Sequence, residues 1–429
     1  MFLCSLLYAW NFDRDVNMKT RITAGLRRIV RRAKLVKRRG RIIAVFAMIG
    51  LAGVVAAVAL PSCNDHDSIF HPKRDPIQVD PKGVPIIRVK LTPRPVGSSE
   101  ISSNGGYVVL VDGKAISESA SAMPNITFAR SGGGWNIAGK QYAGQSLEIR
   151  SSGNSCIKFG ANLYRGNFQL VPQGEQFSVV NHVDLESYVA GVLSKELLRQ
   201  WQPATYHAFA VAARTFAKYQ SITFGKTSFY DVTDDQGSQV YGGQTAETDK
   251  SWKAVNDTRG VMLAYTQNGQ TGIFLTQYSS CCGGTVNGAY VLRDAPTIPP
   301  LMGGQPCEDC SASRLYRWAP VSVSKSDIFK AVSATYSGEA ANLGGGVTDV
   351  RVALTTPYGR PVWLDVVGRS GKSVRLRADD LRLSLIRAKG SLSSGQVSSL
   401  YSMNCQIRSV GDNIEFYDGK GFGHGVGLC

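Results

Sequence analysis

Two groups of side chains in this 429-residue chain have the types and spacing that chemistry uses. The first is a single glutamate. Leu185, Tyr188, Val189, Val192 and Leu193 recur at i, i+3, i+4, i+7 and i+8, the stripe of a helix buried along one face, and Asp184 supplies its N-cap. Glu196 follows Leu185 by eleven positions, so at about 100° per residue it returns to within roughly 20° of that stripe. A helix that persists this far turns the carboxylate toward the buried side, where loss of water favours the protonated form and creates a proton donor near neutral pH. The competing reading is a carboxylate at a frayed helix end, paired with Lys195 or Arg199 and facing water.

The second group is thiol. Cys281-Cys282 is followed, after twenty-four residues, by Cys307-Glu-Asp-Cys310. Four thiolates in two close pairs suit a tetrahedral zinc site, although adjacent cysteines are unusual ligands. In an exported chain the first reading is disulfides, one cysteine of each pair bridging the other pair. Zinc and free thiols stay open beside it.

These residues need elements to hold them. Pro203 suits the first turn of a second helix, with Tyr206, Phe209, Ala210, Ala213, Ala217 and Gln220 on its inner face and Arg214 at the edge. From there Arg214 can reach inward to an anion or carboxylate, or snorkel to the surface. Upstream, short alternating runs at Ile86–Leu91, Tyr107–Val111, Ser146–Ile149, Asn167–Val171 and Phe177–Val180 are punctuated by Gly105-Gly106, Asp112-Gly113 and Gly132–Gly134. The expected fold class is therefore α+β: a mostly antiparallel β region with a helical catalytic segment, preceded by one N-terminal transmembrane or signal helix.

That last element follows from charge. The net charge is +16, but residues 1–41 hold twelve Lys or Arg against two Asp, leaving 36 basic and 30 acidic residues beyond. The basic tail abuts Ile42–Leu60, nineteen uncharged residues. As a helix they rise about 28 Å, near the ~30 Å hydrocarbon core, and the positive-inside rule leaves the tail in the cytoplasm. The domains expected are thus a cytoplasmic tail (1–41), a transmembrane or signal segment (42–60), a proline-punctuated linker (61–85) and an envelope domain (86–429) outside the cytoplasmic membrane. Leu60-Pro-Ser-Cys63 approximates a lipoprotein processing site, so lipidation of Cys63 stands beside an uncleaved anchor and simple cleavage. A nucleic-acid partner is not expected, because the positive charge is confined to the tail.

Several blocks carry a resemblance. Val183-Asp-Leu-Glu-Ser-Tyr-Val-Ala-Gly-Val-Leu-Ser-Lys-Glu196 is followed by Ala210-Val-Ala-Ala-Arg-Thr-Phe-Ala217, then by Asp231 with Ser238-Gln-Val-Tyr-Gly-Gly243. Ala254-Val255, Thr258-Arg-Gly-Val261, Tyr278-Ser-Ser with Gly283-Gly284, and Gly421-Phe-Gly-His-Gly-Val-Gly427 come after. Over roughly 86–429, with parts 86–180 and 181–429, the chain resembles the stage II sporulation protein D family. The resemblance implies an exported peptidoglycan lytic transglycosylase that acts on glycan strands stripped of stem peptides and needs no cofactor. It also brings in a second role known among relatives, enhancement of a cell-wall amidase.

It implies that Glu196 holds the catalytic glutamate position, and that Arg214, Gln239, Tyr241 and His424 line the groove or orient that glutamate. For Gln239 and Tyr241 a β-turn with a packed tyrosine is the alternative, and for His424 a structural loop histidine. One glutamate suffices for the chemistry: it protonates the leaving oxygen, then takes the proton of the sugar's own C6 hydroxyl as a 1,6-anhydro ring closes. The usual hydrolytic pair of carboxylates is then dispensable. The family pattern continues beyond glycine-histidine-glycine into a further helix whereas this sequence stops at Cys429, so the expectation is either a truncated sequence or a missing last helix.

Overall fold

The structure is a computed structural model, and it describes residues 85–292 and 298–429. The tail 1–41, the segment 42–60, Cys63 and the linker up to residue 84 lie outside the described residues. Among those described, no helix is long and apolar enough to cross a membrane.

Thirteen strands lie within 86–233: β1 Ile86–Lys90, β2 Ser98–Ser103, β3 Tyr107–Val111, β4 Lys114–Ser119, β5 Ile126–Ser131, β6 Gly134–Ile137, β7 Lys140–Tyr142, β8 Leu147–Ser151, β9 Ile157–Phe159, β10 Asn162–Tyr164, β11 Asn167–Gln173, β12 Gln176–Asp184 and β13 Val232–Thr233. One sheet runs β13-β1-β12-β11-β8-β3-β4, antiparallel throughout except where β13 lies parallel to β1. The other runs β10-β9-β2-β5-β6-β7 and is wholly antiparallel. Alternation sends Val109, Ile149, Phe168, Leu170 and Val179 of the first sheet and Ile101, Phe128, Trp135 and Ile157 of the second into one core. The sheets meet in ring contacts such as Trp135 with Phe177, centroids 5.4 Å apart.

Helices α1 (Leu185–Glu196), α2 (Pro203–Ile222) and α3 (Asp249–Asp257) complete that core. Asp184 caps α1 as its sequence position requires, accepting the Ser187 N–H at 3.0 Å, and Pro203 opens α2. Tyr188, Val189, Val192 and Leu193 share the core with the strands, so the β-rich part and the helices fold as one body. A second core joins Val321 to Phe416. It is built from two three-stranded sheets with helices α4 (Lys325–Thr335) and α5 (Ala378–Ala388). The α+β class and the antiparallel β region agree with the sequence expectation.

Candidate functional site

Glu196 is the last residue of α1, and the chain leaves the helix in an extended conformation at Leu197. The C-terminal end of a helix is the unfavourable end for a carboxylate, by on the order of 0.3–1 kcal/mol, so packing alone does not select an acid here. The side chain is half-buried, and its Oε1 accepts the backbone N–H of Val240 at 2.7 Å. The turn before Val240 presents that N–H: Ser238 N–H bonds the Asp235 carbonyl and Tyr241 N–H the Asp234 carbonyl, each at 3.1 Å. Among the described residues no cation pairs with Glu196.

Around it stand Tyr278, Tyr188, Gln239 and Asp234. The Tyr278 phenol is pushed well above its ordinary pKa, first by burial and then by the Glu196 charge; hydrogen bonding to Glu196 adds to this and Gln239 opposes it. Tyr278 therefore stays a neutral donor at physiological pH. Its ring is held edge-on to Phe209 of α2, centroids 4.5 Å apart. Tyr188, fully buried on α1, donates its hydroxyl to Gln239 Oε1 at 3.2 Å. Gln239 is itself fully buried, and its Nε2 has no hydrogen-bond partner of ordinary geometry. A buried amide whose donors are held only by the Tyr278 phenol, beside a carboxylate, suits a polar ligand. Asp234 lies within electrostatic reach of Tyr188, as Glu196 does. Burial, helped by the charge of Asp235, pushes the Asp234 carboxyl up to about 6.

The structure corrects two expectations. Arg214 does not approach Glu196: it is wholly buried and makes a forked pair with Glu186 of α1, Nε–Oε1 2.9 Å and Nη2–Oε2 2.7 Å. Its remaining donor goes to the Val261 carbonyl at 3.0 Å, and Gly260 N–H closes on Glu186 Oε1 at 3.2 Å. Thr258-Arg-Gly-Val261 is thus the collar of a structural ion pair. Tyr241 is also interior, donating to Asn181 Oδ1 at 3.1 Å and packing on Tyr188 with ring centroids 5.0 Å apart. The absence of a side chain on Gly191 makes this possible, since a Cβ there would meet the Tyr241 ring at 2.6 Å. Packed as they are, neither Arg214 nor Tyr241 presents a face to a glycan.

His424 is drawn near without touching Glu196. Its Nδ1 accepts the Val426 N–H at 3.0 Å, which leaves the proton on Nε2. Burial pushes its pKa down to about 4, with Asp379 opposing and Arg360 and Arg382 assisting, and the Tyr278 backbone bonds the ring. The link to the site therefore runs through Tyr278. Gly421–Gly427 lies along 277–287: Phe422 N–H bonds the Cys281 carbonyl and Leu428 N–H the Gln277 carbonyl, both at 2.9 Å. Two glycines permit this approach, because a Cβ on Gly283 would meet the Gly421 nitrogen at 2.8 Å and one on Gly421 the Cys281 carbonyl at 2.6 Å.

The thiols regroup as well. The four that converge are Cys282, Cys307, Cys310 and Cys429, with sulfurs all within 4.8 Å of one another; Cys281, expected among them, lies in reach of Cys310 but outside that group. The Cys282 and Cys310 sulfurs are 3.7 Å apart, beyond the ~2.05 Å of a disulfide.

Sequence reasoning missed Glu186, Val240, Tyr278, Asp234 and Cys429. Glu186 left a signal as a carboxylate in the first turn of a helix facing an arginine-bearing neighbour, and Val240 and Tyr278 left one only as members of the blocks that carry the resemblance. An apolar cavity of about 510 Å³ lined by Val211, Phe274, Leu301 and Leu428 lies apart from Glu196 and holds no titratable group.

An uncharacterized protein of Brachyspira hyodysenteriae is 28% identical over 267 residues, covering 62% of this chain and 64% of that protein. The chain thus spans just under two thirds of the relative's length. Residues 173–265 match the family model described as Stage II sporulation protein, SpoIID. That stretch, where the chain is similar to the stage II sporulation protein D family, holds the Glu186–Arg214 pair, its collar and the Glu196–Val240 contact.

Proposed function

We propose that this chain is a cell-wall enzyme, a peptidoglycan lytic transglycosylase in which Glu196 serves in turn as acid and base. The family is linked to cell-wall processing in sporulation. The observation that carries the finer reading is the setting of Glu196: a half-buried carboxyl fixed by one backbone N–H and one neutral phenol, with no neutralising cation among the described residues. Such a group gives its proton to the glycosidic oxygen between N-acetylmuramic acid and N-acetylglucosamine as that bond breaks. Tyr278 holds the carboxyl in place, and Gln239 Nε2 offers a donor to a sugar hydroxyl or acetamido carbonyl. The carboxylate so formed then takes the C6 hydroxyl proton as that oxygen closes on C1, giving a 1,6-anhydro end without water.

In this reading the domain works outside the cytoplasmic membrane, carried there by the basic tail and the uncharged segment 42–60, with glycan strands as its partner. Mass spectrometry of products from purified glycan strands tests the proposal. New anhydro ends support it. Reducing ends would replace the transglycosylase route by hydrolysis, and binding without cleavage, coupled to stimulation of an added cell-wall amidase, would replace the enzyme by an activator.

A further inference from the structure

The convergence of four thiols from distant parts of the chain has a backbone cause. Gly284-Thr285 pairs antiparallel with Pro306-Cys307, which sets Cys307 opposite Gly284 and brings Cys310 round in the two-residue spacing of a Cys-x-x-Cys knuckle. On the other side, Tyr278 bridges Leu428 and Cys281 bridges Phe422, so the 421–428 segment delivers Cys429 to the same point. Four thiolates at ~2.3 Å around a tetrahedral centre lie about 3.8 Å apart. The 3.7 Å from Cys282 to Cys310 and the mutual limit of 4.8 Å match that figure. The backbone N–H of Cys282 donates to Cys429 Sγ at 3.3 Å, the kind of outer contact that orients a metal-bound thiolate.

We propose that Cys282, Cys307, Cys310 and Cys429 bind one zinc ion that clamps the 421–429 segment to the loop bearing Tyr278. Four thiolates leave no coordination position for water, so the ion is structural. Its effect on the Glu196 site is indirect: the clamped segment bonds Ser279 and Gln277 on either side of Tyr278, through Ser279 N–H to the Leu428 carbonyl and Leu428 N–H to the Gln277 carbonyl. The inference stands on the thiols alone and does not depend on the reaction proposed above.

The test is metal analysis of the full-length protein purified without chelator or added reductant. One equivalent of zinc is expected, along with thiolate-to-metal charge-transfer absorption after exchange into cobalt. Cys429→Ser and Cys282→Ser should each lose most of the zinc, and Cys281→Ser should keep it. Thermal melting of the wild type should fall on chelation and recover when zinc is returned. Metal-free protein with free thiols would overturn the proposal. So would metal-free protein lighter by about 2 Da for each disulfide. Equal zinc loss from Cys281→Ser and Cys429→Ser would overturn the ligand set.

Discussion

Helix α1 carries a glutamate at each end, and the two have opposite fates. Glu186, in the first turn, is nearly sealed from water, gripped by both arms of Arg214 and by Gly260 N–H, while the Arg214 guanidinium spends its other donors on backbone carbonyls. Glu196, in the last turn, has one backbone N–H, a phenol beside it and no cation among the described residues. A carboxylate committed to a rigid cation and a backbone N–H holds a fold together and has no proton to trade. One placed at the unfavourable end of a helix dipole, lightly restrained and half-exposed, contributes little to folding and keeps its chemistry.

The contrast can be broken first at its structural end. Arg214→Ala strands Glu186 as a buried unpaired charge, and loss of one partner of such a pair costs about 3–5 kcal/mol. A urea titration should show a destabilisation of that size, and one below about 1 kcal/mol would mean that the pair is more hydrated than its burial indicates. Tyr278→Phe acts at the other end. Removing one hydrogen bond to a charged group, about 1.5 kcal/mol, should slow cleavage by roughly tenfold and alter its pH profile, with a smaller change in stability. An unchanged profile would detach Tyr278 from Glu196.

Acidity sharpens the comparison further, because two groups near the site pull stability in opposite directions. His424 holds its proton less tightly in the fold, near 4 against 6.5, so its contribution is present above pH 6.5 and is lost as the pH falls toward 4. Asp234 holds its proton more tightly, near 6 against 3.8, so its contribution is present below pH 3.8 and is lost as the pH rises through 6. Between about 4 and 6 the two slopes oppose each other. Urea midpoints measured against pH should therefore rise more steeply in Asp234→Asn and flatten or reverse in His424→Gln. Parallel profiles for both variants and the wild type would dismiss the shifts. The smallest effect is expected of Tyr241→Phe, which loses one buried hydrogen bond to Asn181, about 1 kcal/mol, and leaves cleavage close to wild type.

What the sequence disclosed was local. Asp184, the stripe from Leu185 to Leu193 and Pro203 foretell two helices because capping, periodicity and proline's missing N–H act within a few residues. The position of Glu196 on α1 follows from the same period. Its partners do not, since Val240 and Tyr278 arrive through a turn and a loop whose paths are set by the whole core. Arg214 is instructive: spacing left it either inward toward a carboxylate or at the surface, and a helical period cannot say which of two glutamates on the neighbouring helix an inward arginine meets. The cysteines fail for a related reason. Spacing cannot say which of the adjacent Cys281 and Cys282 joins the Cys307–Cys310 pair, and only the fold of 421–429 reveals Cys429 as the other thiol.

The most direct test of the account compares the two glutamates in one assay, the rate of appearance of 1,6-anhydro ends from purified glycan strands by wild type, Glu196→Gln and Glu186→Gln, each at a temperature where it is folded. Glu196→Gln should match or exceed wild-type stability and still bind glycan, yet lose at least about a hundredfold in rate, some 2.7 kcal/mol in the barrier. Glu186→Gln should melt earlier and cleave within a few-fold of wild type. A Glu196→Gln protein that cleaves within a few-fold of wild type with the same products would contradict the assignment of Glu196 as the acid and base.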